Sequence, residues 1–129
     1  MNREHVVRAS TRSWEEESTW EGEAGEKRTR TECVRAYEGE AEGTSHITYV
    51  LHYAGEGHAH FAGIERFEGR LGDRTGTMLV QLSGVFRGGQ VQERGMIVAG
   101  TGALEGIVGE TWMETGVASS YQVTIRSQL

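Results

Sequence analysis

The chain has 129 residues, 19 glycines, no proline and a formal charge of −6. That length predicts one domain, residues 1–129, with room for a sizeable core. The acidic balance argues against a nucleic-acid partner, because phosphate contacts need a basic surface. No apolar run approaches the roughly 20 residues of a membrane span. A single cysteine, Cys33, excludes an intrachain disulfide. With no signal-type apolar segment in MNREHVVRAS, a reducing, cytoplasmic location is expected.

In chain order, HVVRASTRSWEEES (residues 5–18) has little helical periodicity and reads as a first strand. Gly22 and Gly25 mark a loop, and residues 27–39 a second strand with Thr29, Thr31, Cys33, Arg35 and Tyr37 on one face. An acidic turn around residues 38–43 leads to a third strand, residues 44–54. There Ile47, Tyr49, Leu51 and Tyr53 share one face, and His46, Val50 and His52 the other. Gly55-Glu56-Gly57 closes that hairpin. Residues 61–71 and 75–87 form the next two strands, joined at Leu71-Gly72-Asp73-Arg74. Arg87-Gly88-Gly89-Gln90 signals a further hairpin into residues 91–99. GTGALEG (residues 100–106) is read as a loop, and two last strands lie near residues 107–115 and 118–127. Eight strands at short spacing, with no convincing helix, predict an all-β, antiparallel up-and-down barrel, which leaves no open edge. Such a barrel can be filled by side chains or can hold one small ligand.

The fourth strand carries the most chemically informative residue. Phe61, Gly63, Glu65, Phe67, Gly69 and Leu71 fall on one face, while Arg66, Glu68 and Arg70 fall on the other. Glu65 therefore sits between two phenylalanines on the drier side. A carboxylate there must be neutralised, paired or hydrogen-bonded, because an unpaired buried charge is very costly. Arg35 is one internal partner that would make it structural.

Ser13-Trp14, Tyr37-Glu38-Gly39 with Glu42-Gly43, Gly63-Ile64-Glu65-Arg66-Phe67, Gly69-Arg70-Leu71-Gly72, Ser83-Gly84-Val85-Phe86 and Gly100-Thr101-Gly102 resemble the DUF3224 family over nearly the whole chain. The resemblance implies a small barrel similar to allene oxide cyclase, of lipocalin-like architecture, and a homo-oligomer. Barrels of the allene oxide cyclase type include cyclases and isomerases acting on hydrophobic substrates, an analogy of fold alone.

Two functional expectations follow. In the first, the barrel binds a small hydrophobic molecule, with Trp14, Tyr37, Tyr49, Phe67, Gln81 and Trp112 as candidate contacts. In the second it is a cofactor-independent cyclase or isomerase, with Glu65 transferring a proton or orienting the substrate. No cofactor is called for in either. His58-Ala59-His60 points two imidazoles the same way and is a weak metal candidate. In a regular strand Glu65, five residues past His60, lies on the opposite face and cannot complete the set.

Overall fold

A computed structural model describes residues 2–55, 57–116 and 118–129. Eight antiparallel strands follow one another round a closed ring: β1 (Asn2–Glu21), β2 (Lys27–Gly39), β3 (Ala41–Gly55), β4 (His58–Leu71), β5 (Arg74–Arg87), β6 (Gln90–Gly102), β7 (Val108–Thr115) and β8 (Ser120–Gln128), with β8 paired back onto β1. Each strand pairs with its sequence neighbour, so the connections are short hairpins and the ring leaves neither terminal strand of the sheet without a partner. Among the described residues no helix is long and apolar enough to cross a membrane.

The alternation read from sequence is the alternation of the wall. Thr29, Thr31, Cys33, Arg35 and Tyr37 of β2 are buried inside, as are Ile47, Tyr49 and Leu51 of β3 and Met78, Val80 and Leu82 of β5. Phe67 and Ile47 are among the largest fully buried side chains, each stabilising the fold by about 1.5–3 kcal/mol through the apolar area removed from water.

Several boundaries differ from the expectation: β3 begins at Ala41 and β4 at His58, ahead of the expected starts, and β1 and β6 extend further than read. β1 runs over 20 residues, well past both ends of the expected strand. Its first half is held by β8, from Asn2↔Gln128 to Ser10↔Ser120, and its second half by β2 as far as Glu21↔Lys27. Backbone ladders carry the strand beyond its expected ends, out to Asn2 and Glu21. Likewise Gly100, Thr101 and Gly102 belong to β6, because they pair with Met78, Thr77 and Gly76.

The two ends of the ring are unlike. At one, the β6–β7 connection folds inward, with Leu104 and Ile107 buried beside Ala41, Leu71 and Met78. Backbone bonds tie that end together, Gly72 N–H to Glu40 C=O at 2.8 Å and Ala103 N–H to Thr75 C=O at 2.9 Å. The other end, carrying the β5–β6 and β7–β8 connections, opens into a cavity.

Near the closed end Gly43, Gly69 and Gly76 lie side by side across β3, β4 and β5. Gly69 has φ +155°, and a Cβ there would sit 2.1 Å from the Glu42 carbonyl oxygen and 2.7 Å from Gly43 Cα. Only glycine permits that approach of two backbones. Gly69→Ala should lower the unfolding free energy by about 2 kcal/mol in urea titrations. Gly55→Ala, where an added Cβ meets nothing within 4 Å, should leave it unchanged. Equal effects from the two would contradict this account of the close approach.

Candidate functional site

Arg35 is the only buried basic side chain among the described residues, 3% exposed, and it projects from β2 into the middle of the barrel. Residues from several other strands close round its guanidinium. Its Nε donates to Tyr121 Oη of β8 at 2.9 Å, and Nη2 to Tyr49 Oη of β3 at 3.1 Å. Nη1 donates to Glu93 Oε2 of β6 at 3.2 Å and to Tyr37 Oη at 3.5 Å. Glu65 Oε1 lies 3.8 Å from Nη1. Both carboxylates are nearly as buried as the arginine, Glu65 at 3% and Glu93 at 4%.

The tyrosines tie the two acids into the same network. Tyr37 donates to Glu65 Oε2 at 2.5 Å, and Ser45 donates to the same oxygen at 2.6 Å. Tyr49 donates to Glu93 Oε1. Thr11 of β1 and Tyr121 share a hydrogen bond of 2.8 Å. Burial pushes the phenols of Tyr37 and Tyr49 well above their ordinary value, so both keep their protons and act as donors. For Arg35 burial works to lower the pKa, but Glu93, the two tyrosines and Glu65 outweigh it and the guanidinium is held charged.

Above this polar layer, towards the open end, is a cavity of about 530 Å³. Arg35, Glu93, Tyr49 and Tyr121 contribute its polar lining. Trp14, Leu51, Phe61, Phe86, Val91 and Met113 are among its apolar lining. Local sequence positions two of the rings. A Cβ at Gly63 would lie 2.8 Å from Tyr49 Cδ1 and 2.4 Å from the Thr48 carbonyl oxygen. The glycine thus gives the Tyr49 ring its place against β4. A register shift in β1 between Thr11 and Ser13 turns Trp14 inward: Thr11 pairs with Arg35 and Trp14 with Cys33, both inward residues of β2. Trp14 stays 48% exposed at the mouth, its ring 5.9 Å from that of Tyr49.

The candidate residues therefore fall in different places. Trp14 and Tyr49 line the cavity. Tyr37, Phe67 and Glu65 are buried inside the barrel but do not line it; Phe67 meets the Tyr37 ring edge-on at 5.5 Å. Gln81 lies between the buried Val80 and Leu82 and is exposed on the outer surface. Trp112, between the buried Thr111 and Met113, lies outside against Arg126, whose guanidinium carbon is 5.1 Å from the ring centre. His58 and His60 flank the buried Ala59 on the outer side with rings 5.0 Å apart, opposite the inward Glu65. Among the described residues no group of three or more His, Cys, Asp or Glu is placed to hold a metal ion. Cys33 is buried and its thiol is pushed up to about 11, chiefly by burial, which leaves it a poor nucleophile.

Sequence reasoning missed Glu93, Thr11 and Tyr121. For Glu93 the signal is present: Val91, Glu93, Gly95 and Ile97 alternate along β6 and all face inward. The apolar run Met96-Ile97-Val98-Ala99 draws attention away from that parity.

A closed eight-stranded antiparallel barrel with a buried arginine–carboxylate layer and a cavity above it is the class of protein these features define. The family model for DUF3224, a protein of unknown function, matches residues 8–126, and the chain belongs to that family. Its fold is similar to that of the crystal structure of a DUF3224 protein of unknown function from Shewanella oneidensis MR-1. The TM-score is 0.84 at 19% identity, over 100% of this chain and 98% of that one. Comparison with curated proteins finds no match.

Two predictions follow from the charged layer and the mouth. Arg35→Met leaves two carboxylates without their cation and should cost about 3–5 kcal/mol of stability at neutral pH. The triple variant Arg35→Met/Glu65→Gln/Glu93→Gln should recover part of that loss in the same urea titration. No loss in the single variant would mean that the layer is not held by charge.

At the mouth, burial acts to raise the Glu16 pKa, but hydrogen bonds from Tyr53, Thr29 and Trp14 and the charge of Lys27 hold it below the ordinary carboxylate value of 4.5. A lowered folded-state pKa contributes stability that is present above the unfolded value and lost as pH falls through the folded one. Glu16→Gln should therefore be modestly destabilised near neutrality and should converge on the parent protein in acid. A constant difference between the two melting profiles across that range would refute the assignment.

Proposed function

We propose that the barrel binds a small, largely apolar molecule end-on in the cavity above Arg35 and Glu93. The observation that carries this reading is the cavity itself. Its volume, about 530 Å³, is in the usual range for small-molecule sites, and it joins a mainly apolar wall to a few convergent polar groups. A barrel built only as a scaffold would fill this space to ordinary packing density. Apolar walls supply affinity through burial, while Arg35, Glu93, Tyr49 and Tyr121 fix which end of the molecule goes in.

The cyclase or isomerase reading has less support, because Glu65 does not line the cavity and both of its short hydrogen bonds run to Tyr37 and Ser45. A proton on that carboxyl has no direct path to a molecule held beside Trp14 and Phe61.

Trp14 at the mouth provides the readout. Titration with short-chain apolar alcohols and amines should shift or quench tryptophan emission with saturation. Trp14→Phe should lose most of that signal while calorimetry still detects binding. Met113→Trp, which replaces a flexible thioether with a bulky indole in the cavity next to Glu93 (their backbones pair across β6 and β7), should abolish binding with the fold retained. An absence of any saturable response across the panel would defeat the proposal.

A further inference from the structure

The polar floor of the cavity is unbalanced. One guanidinium, Arg35, faces two carboxylates, Glu65 and Glu93, and the described residues place no second buried basic side chain in the barrel. Hydrogen-bond capacity is unbalanced in the same direction. Of the five N–H groups of the guanidinium, four bonds run to Tyr121, Tyr37, Glu93 and Tyr49. The protons of Tyr37 and Tyr49 are given to Glu65 and Glu93. Glu93, the carboxylate that lines the cavity, keeps about two of its four lone-pair sites unused, against one remaining guanidinium N–H and one hydroxyl proton of the Thr11–Tyr121 pair.

Resting on the binding reading above, we infer that the occupant enters the barrel with a protonated amine leading. A primary ammonium brings one positive charge, which cancels the excess, and three N–H donors. Glu93 together with the Thr11 and Tyr121 hydroxyls supplies acceptors at the place where that head would rest. The walls suit a cation as well. Six lining residues are aromatic, Trp14, Tyr49, Tyr53, Phe61, Phe86 and Tyr121, and an aromatic face attracts an ammonium within about 6 Å. The approach is favourable too: Glu16 accepts hydrogen bonds from Trp14 and Tyr53, two residues of the cavity wall, and the whole chain carries a charge of −6, which draws cations towards the opening. A carboxylate ligand would add negative charge to the floor and to the approach, with Arg35, already shared by Glu65 and Glu93, as its counter-ion.

Three probes of one chain length and different heads separate the possibilities: n-octylammonium, 1-octanol and octanoate, each titrated calorimetrically into the full chain at neutral pH and moderate salt. The expected order is octylammonium tightest, at least about tenfold over octanoate, with octanol between. Glu93→Gln should bring the ammonium and the alcohol close to parity, and Met113→Trp should remove binding of all three. Octanol equal to octylammonium, octanoate equal or tighter, or a preference for the amine that survives Glu93→Gln, each overturns the inference while leaving the cavity a binding site. Failure of all three probes to bind the parent protein removes the binding reading and this inference with it. The parent series decides the question even where Glu93→Gln does not fold.

Discussion

Burying a guanidinium in the middle of a small barrel imposes more order on this chain than any apolar contact does. Arg35 is satisfied only if Tyr49, Glu93 and Tyr121 arrive at one level from β3, β6 and β8, while Glu65 approaches from β4. Side chains alternate with period two, so a slip of one residue in any of these strands would carry its polar group to the outer surface and strand the rest. Apolar side chains do not discriminate registers so sharply, because one aliphatic contact substitutes for another. The charged layer is costly to assemble and need not add net stability. What it contributes here is a definite register round the ring.

That layer also divides the interior. Towards the closed end the core is ordinary, with Phe67, Leu71, Met78, Leu104 and Ile107 packed under the inward-folded β6–β7 connection. Towards the open end the strands are unequal in length: β1 runs over 20 residues, whereas β7 and β8 span 8 and 9. Beyond Ser10, β1 is paired along its backbone with β2 on one side and has no backbone partner from β8 on the other. Thr11 and Trp14 on that stretch therefore line the cavity and form no layer of core. Glu15, Glu17 and Glu21 keep the unpaired side of the strand charged, which discourages pairing with another sheet.

Much of this architecture was legible from alternation alone. The eight strands, the shared faces of the second, third and fourth, and the burial of Glu65 between Phe61 and Phe67 all rest on side-chain period two, a local property. The site was legible only in pieces. Glu93 comes 58 residues after Arg35 in the chain, and no local pattern says that a sixth-strand acid will share a cation with a fourth-strand one. The shift in β1 that turns Trp14 inward is set by pairing with β2, and the alternation Val7, Ala9, Thr11 would otherwise have continued to Ser13. Gln81 and Trp112 fail as cavity residues for the converse reason. Residue type attracts notice, but parity places both outside.

Parity turns Glu65 and Glu93 alike inward, and their different strand partners set them apart. Glu65 pairs across to Ile47 and Val80, and its Oε2 is occupied by Tyr37 and Ser45 on the side nearer the closed end. Glu93 pairs with Gly84 and Met113, nearer the mouth, where the residues opposite are a glycine and a flexible thioether. Space therefore opens beside Glu93 and not beside Glu65. A chain that needed only to neutralise Arg35 could have done so with one acid in the packed half. The second acid lies at the boundary between packing and void, where its carboxyl faces the cavity as well as Arg35.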